Sequence, residues 1–175
     1  MHARIAGATV KLQLDVSTGD PVTPPPTRIT YPTLREVHAP VPNFAYPLPV
    51  VLAEKLRTAV DLGPSNTRVR DYADIWTLTT RHDVSAGDLL SALAATSTHR
   101  RVTLRPLSAV LGEYANLRQP AYRAFRGRLG PDGHHLPAEF ADVVTTVIAF
   151  ADPVLRHDIA PTSRWHAARL SWRAT

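Results

Sequence analysis

The spacing of apolar residues changes near residue 47 of this chain, and that change limits the folds available to it. Residues 8–16 alternate apolar and polar side chains, which is typical of a half-buried strand. From Leu48 onward, apolar residues recur every three to four positions, as on one face of a helix. Strands followed by consecutive helices predict an α+β fold.

Residues 1–47 are predicted to form the strand-rich part of the molecule. The alternation over 8–16 places Asp15 on the polar face of its strand, near the C-terminal end. The segments RITYPTL and VPNFAYP are expected to be short strands or extended pieces, which their prolines restrict to edges and turns.

Residues 48–158 are predicted to form a helical lobe. Its helices are expected over residues 48–62, 68–80, 85–98, 106–128 and 137–155. The remaining residues, 159–175, have no convincing period and are predicted to be an irregular tail.

The composition narrows the class of protein. The absence of cysteine excludes disulfides and thiolate metal sites. No apolar run approaches the ~20 residues that span a bilayer, so we expect a soluble, cytoplasmic protein without a membrane partner. The net charge of +5 favours polyanionic partners such as nucleotides or nucleic acid. A G/C-rich genome, which favours Arg, Ala and Pro codons, explains the bulk charge equally well.

Lys55 is one of two lysines in a chain whose 20 basic residues are otherwise arginine. The helical spacing places it on or beside the apolar stripe of the first predicted helix. It can cover the core with its stem while its ammonium reaches water. It can instead pair with a buried carboxylate, or bind a phosphate as a compact point charge.

Asp71 and Asp74 share a face of the second predicted helix with Ile75. Carboxylates on an apolar face are costly to bury unless they are paired. An ion pair between Lys55 and either aspartate would compensate for the burial of the carboxylate. Such a pair predicts that the two helices pack face to face. Arg68 would lie near the positive end of the second helix, where a cation is unfavourable unless an anion binds nearby. The spacing alone does not choose between a structural pair and a phosphate site.

The segment AEKLRTAVDLGPSNTRVRDYADIW, residues 53–76, resembles the central motifs of the nucleotidyl transferase AbiEii/AbiGii toxin family, which includes the MenT-like toxins. The preceding KLQLDVSTGD is similar to the family strand that carries a catalytic acid, which here would be Asp15. Tyr46-Pro47 also fits the pattern. The resemblance extends over roughly residues 8–150.

The resemblance implies a nucleotidyltransferase with a polymerase-beta-like core, acting as the toxin of a type IV toxin–antitoxin system. It would transfer a nucleotide from an NTP to RNA, with the 3′ end of tRNA as the expected acceptor and Mg²⁺ as the cofactor. A cognate antitoxin is the expected protein partner.

The resemblance also implies roles for individual residues. Asp15 would be a metal-binding or base carboxylate, and Lys55 would contact the triphosphate. Asp71 would orient Lys55, while Arg68 and Arg70 would add phosphate contacts.

One family motif is missing from the first fifty residues. That motif is a Gly-Ser turn followed by an Asp-x-Asp strand, and it supplies two metal-binding carboxylates. Asp15 and Asp20 are too far apart to form it. We therefore expect the chain to begin just after this motif, through truncation or a late start codon, or its acids to come from another chain. The alternative function is that of a non-catalytic remnant that binds antitoxin or RNA.

The segment LRQPAYRAFRGRLG, residues 117–130, interleaves arginines with Tyr122 and Phe125. Arginines beside aromatic rings suit an RNA-binding surface. In the alternative interpretation the rings pack inward and the arginines only face solvent. The candidate RNA-binding residues are Arg118, Arg123, Arg126 and Arg128.

Overall fold

The N-terminal part of the chain forms two antiparallel hairpins. The computed structural model describes residues 2–5, 7–11, 19, 21–33, 35 and 37–174. The strands are β1 (His2–Ile5), β2 (Ala8–Lys11), β3 (Thr27–Tyr31) and β4 (Val41–Ala45). β3 and β4 confirm the short-strand alternative for the segments RITYPTL and VPNFAYP. β2 covers the start of the strand predicted over 8–16, whereas Asp15 lies outside the described residues.

Six helices follow the hairpins within the described residues. They are α1 (Leu48–Leu62), α2 (Val69–Arg81), α3 (Ala86–Arg100), α4 (Leu107–Val110), α5 (Tyr114–Arg128) and α6 (Phe140–Leu155). Strands followed by helices confirm the α+β class. None of the described helices is long and apolar enough to cross a membrane.

The hydrophobic core lies among these helices. α1 buries Leu52 and Leu56 completely, and α1 packs against α3. Between α2, α5 and α6, the rings of Tyr72, Tyr114 and Phe140 contact one another with centroids 5.0 to 5.8 Å apart. Such aromatic contacts stabilise a core beyond the area they bury. α1 and α2 are therefore held by packing on their inner faces.

The single helix predicted over 106–128 is wrong, because α4 and α5 are separate. Gly112 has a φ of +48° between them, a conformation that favours glycine and ends a helix. The carboxylate of Asp152 on α6 accepts a hydrogen bond from the backbone N–H of Leu107 at 2.7 Å. This contact caps the start of α4.

The C-terminal residues contribute strands rather than an irregular tail. β5 (Val84–Ser85), β6 (Arg164–His166) and β7 (Ser171–Arg173) form a sheet in the order β5-β6-β7. Trp165 on β6 is fully buried, and its ring meets that of Phe150 edge-to-face at 5.1 Å. The strands are too short to show a period in the sequence.

The division of the chain into two parts at residue 47 stays a prediction.

Candidate functional site

Lys55 lies between the two carboxylates that the spacing placed near it. Its Nζ donates hydrogen bonds to Asp71 Oδ1 and Asp74 Oδ2, each at 2.8 Å. The side chains of Lys55 and Asp71 are 20% and 18% exposed. The predicted ion pair is therefore present with both aspartates, partly shielded from water but open on one side.

The packing of α1 and α2 explains why these side chains meet. Leu52 and Leu56 on α1 are fully buried, as are Tyr72 and Ile75 on α2. Lys55 lies at the edge of the buried stripe of α1, and the two aspartates lie at the edge of the buried stripe of α2. Residues three apart on a helix share a face, so one turn of α2 presents both carboxylates to one ammonium.

The environment keeps Lys55 charged. Burial alone would lower the pKa of its ammonium, but hydrogen bonds to Asp71 and Asp74, together with their negative charges, raise that pKa above its ordinary value. An ammonium carries three N–H donors. Two of them bind the aspartates, which leaves one donor for a further acceptor.

The connection between α1 and α2 positions the first turn of α2. Gly63 has a φ of +47° where α1 ends, and a turn of 3₁₀ helix follows over Gly63–Ser65. Asn66 is fully buried, and its Oδ1 accepts a hydrogen bond from the backbone N–H of Arg68 at 2.8 Å. The Asn66 side chain thus fixes the point where α2 begins, two residues before Asp71.

A cavity of about 410 Å³ opens beside the lysine. Its lining includes three cationic side chains, Lys55, Arg57 and Arg68, and two acidic ones, Glu54 and Asp71. A cavity with an excess of cations attracts anions. Two carboxylates hold Lys55 at 2.8 Å each, whereas Arg57 lies 3.4 and 3.5 Å from Glu54 and Asp61.

The same cavity has apolar walls. Val50 and Val51 line it one turn before Lys55 on α1, and Val22 lines it from the loop that precedes β3. A cavity with apolar walls and a few charged groups is typical of small-molecule sites. The arrangement suits a ligand that combines an anionic group with an apolar ring.

Residues 2–146 match the model of a family described as nucleotidyl transferase AbiEii toxin, type IV toxin–antitoxin system. The chain belongs to the AbiEii family. The resemblance inferred from residues 53–76 is thereby confirmed. Membership implies an NTP substrate and an antitoxin partner. No curated protein and no solved structure matches the chain at a significant level.

Arg68 and Arg70, the other residues expected to contact phosphate in this AbiEii protein, differ in their position relative to the cavity. Arg68 lines the cavity, whereas the Arg70 side chain is 75% exposed and lies 3.8 Å from Asp74. Sequence reasoning missed Arg57, which lines the cavity and is only 15% exposed, 3.4 Å from Glu54. In the sequence, the i, i+3 spacing of Glu54 and Arg57 next to Lys55 could have indicated that Arg57 belongs to the same site.

The four arginines of α5 that were RNA-binding candidates also differ in position. Arg118 donates to the backbone carbonyl oxygen of Pro64 at 3.2 Å. Arg126 donates through Nε to two backbone carbonyl oxygens at 3.0 and 3.1 Å. Arg123 and Arg128 are exposed. Two of the four therefore hold the protein's own backbone, and two face solvent.

AbiEii nucleotidyltransferases typically use a divalent metal ion. Within the part of the chain that the structure describes, no group of three or more His, Asp or Glu side chains could hold a metal ion. Asp71 and Asp74 both bind the Lys55 ammonium. The described residues therefore do not by themselves provide a set of ligands for Mg²⁺.

Proposed function

We propose that this AbiEii protein transfers a nucleotide from an NTP to an RNA acceptor in the cytoplasm, with the 3′ end of tRNA as the candidate acceptor. The observation that supports it most is a charged lysine held by Asp71 and Asp74 at the wall of a 410 Å³ cavity. A cognate antitoxin is the partner that would restrain this activity.

Lys55 and Arg68 are the proposed triphosphate contacts. The third N–H of the Lys55 ammonium donates to a phosphate oxygen, and the guanidinium of Arg68, which also lines the cavity, binds a second oxygen. Arg68 lies at the N-cap of α2, where the helix end favours a negative charge. Asp71 acts as a positioning residue, because its carboxylate holds the ammonium in place.

The proposed reaction joins the acceptor to the α-phosphorus of the NTP. An oxygen of the acceptor hydroxyl forms a bond to that phosphorus, and the bond to the bridging oxygen of pyrophosphate breaks. Pyrophosphate leaves with the electron pair, and the hydroxyl proton passes to a base. Asp15 is the candidate base or metal-binding carboxylate and Mg²⁺ the candidate cofactor, both from the family resemblance.

Among the α5 arginines, we propose Arg123 and Arg128 as contacts to the RNA backbone, because both are exposed. Each phosphate contact makes RNA binding more sensitive to salt. Arg118 and Arg126 are proposed to support that surface through their backbone hydrogen bonds.

The test is transfer of label from α-labelled CTP, UTP, ATP or GTP to total tRNA in the presence of Mg²⁺. Wild type is compared with Lys55→Ala and, as a matched control, with Lys11→Ala, which changes an exposed lysine on β2. We expect label with wild type and Lys11→Ala, and a loss of at least tenfold with Lys55→Ala.

Equal labelling by Lys55→Ala and wild type would contradict the proposed role of the lysine. A folded wild-type protein that binds NTP or RNA without transferring label would favour the non-catalytic remnant. That alternative has its own support in the sequence, which lacks an Asp-x-Asp pair among its first fifty residues.

A further inference from the structure

Three of the chain's twelve aromatic residues are exposed, and all three lie between residues 31 and 46. Tyr31 is 59% exposed, Phe44 66% and Tyr46 60%. The other nine aromatic residues, all of them described, are buried or half-buried in the helical lobe and the C-terminal sheet. Grouped exposed aromatic rings are typical of binding surfaces.

The register of the β3–β4 hairpin separates these rings. Arg28 pairs with Phe44, and Tyr31 pairs with Val41. Because side chains alternate along a strand, Arg28 and Phe44 share one face while Tyr31 lies on the other. The Arg28 guanidinium lies 6.0 Å from the centroid of the Phe44 ring. Tyr46 follows the end of β4 and lines one cavity together with Phe44. We call Arg28, Phe44 and Tyr46 the aromatic face.

The aromatic face is continuous with the cavity beside Lys55. A second cavity, of about 270 Å³, is lined by Phe44, Tyr46 and Val22. Tyr46 and Val22 also line the larger cavity that contains Lys55. A ligand can therefore extend from the lysine past Tyr46 to Phe44 without leaving the protein surface.

We propose that the aromatic face binds the single-stranded 3′ end of the acceptor RNA, an inference that rests on the proposed function. Unpaired bases stack on Phe44 and Tyr46, and Arg28 contacts the backbone phosphates. Stacking on aromatic rings tolerates any base, whereas the bases of a duplex already stack within it and are not free to do so. The face leads the RNA end to the cavity where the NTP binds.

The cations near this path support RNA as the occupant. Arg28 lies on the face itself, and Arg57 and Arg68 line the adjoining cavity. Their charge complements a phosphate backbone. An apolar protein partner would leave the Arg28 guanidinium without a matching charge.

The test measures binding of a short fluorescein-labelled single-stranded RNA ending in CCA by fluorescence anisotropy. We expect Phe44→Ala to raise Kd roughly 5- to 100-fold, the loss typical of one base–aromatic stack. Tyr31→Ala is the matched control, because it removes an exposed ring from the opposite face of the same hairpin. It should leave Kd unchanged, and the thermal unfolding of both variants should match wild type.

Separate results test the inference and the proposed function. Phe44→Ala binding with the Kd of wild type, or Tyr31→Ala weakening binding equally, would overturn the inference. Transfer that depends on Lys55 but not on Phe44 would overturn the inference alone. Phe44-dependent RNA binding in a protein that transfers no nucleotide would overturn the proposed function alone. Loss of antitoxin binding by Phe44→Ala, with RNA affinity intact, would assign the face to the antitoxin instead.

Discussion

The indole N–H of Trp165 donates a hydrogen bond of 2.7 Å to the backbone carbonyl oxygen of Thr79. Both residues are fully buried. Through this contact, β6 holds the last turns of α2, whose first turns carry Asp71 and Asp74. The C-terminal strands thus support the helix that positions Lys55, although they lie outside the residues that match the AbiEii family.

Removing the Trp165 ring should destabilise the whole helical lobe. We expect Trp165→Ala to lower the free energy of unfolding by about 3–5 kcal/mol, since it leaves a large cavity in the core. Arg169→Ala, an exposed change in the same segment, should stay within about 0.5 kcal/mol of wild type. Urea unfolding measures both. Equal midpoints for Trp165→Ala and wild type would contradict a supporting role for β6.

Removing the Lys55 charge should destabilise the protein even without ligand. Lys55→Met leaves Asp71 without its cation and Asp74 with only the exposed Arg70 nearby, and we expect a loss of about 1–3 kcal/mol. Asp74→Asn should cost less, because Asp71 still pairs with the lysine. Urea unfolding at neutral pH, with Lys11→Met as the matched control, measures these differences. A Lys55→Met variant as stable as wild type would show that the pair contributes no net stability.

The Asn66 side chain should affect both stability and nucleotide affinity. Asn66→Ala removes the acceptor of the Arg68 N–H, and we expect a loss of about 1 kcal/mol. Because Arg68 then loses its fixed position, KM for NTP should rise more than kcat falls. Asn116→Ala removes an exposed hydrogen bond to Glu113 and is the matched control. Steady-state kinetics in which Asn66→Ala leaves KM unaltered would refute the positioning role.

Alkaline pH should unfold the protein through its buried tyrosines. Burial raises the pKa of Tyr114 and Tyr122 to about 12, against about 10 in an unfolded chain. Between about pH 10 and 12 the unfolded chain releases protons that the folded chain retains, so the free energy of unfolding falls as pH rises. The stability due to neutral tyrosine is fully present below pH 10 and is lost through this window.

Burial also raises the pKa of Tyr72. Tyr114→Phe should make this fall less steep, because one of the three buried tyrosines no longer titrates. The melting temperature measured at several pH values tests this, and tyrosinate absorbance follows the ionisation directly. Tyr31→Phe, which changes an exposed tyrosine, should keep the slope of wild type. A Tyr114→Phe variant with the slope of wild type would argue against a raised pKa for Tyr114.

The sequence predicted those parts of the structure that depend on neighbouring residues. α1, α2 and α3 were predictable because apolar residues recur along them with the helical period. The meeting of Lys55 with Asp71 and Asp74 was predictable because unpaired charges on apolar helix faces require partners. The family resemblance also depended on local motifs, within residues 53–76.

Contacts between helices that are not consecutive in the chain were not predictable. The start of α4 depends on Asp152, which caps it from α6 across 45 residues of sequence. Arg118 and Arg126 looked equivalent to Arg123 and Arg128 in the sequence. Only the folded chain brings backbone carbonyl oxygens to the first two and leaves the others in solvent.

The sequence by itself determined the helical period, the α+β class and the family, and it placed Lys55, Asp71 and Asp74 on helix faces where a pair is favourable. Tertiary structure decided that the lysine faces a cavity and that Tyr46 joins this cavity to the aromatic face. The physical reason is that helical and strand spacing define which face of an element a residue occupies. Packing between elements defines which residues contact that face, and this packing depends on the whole chain.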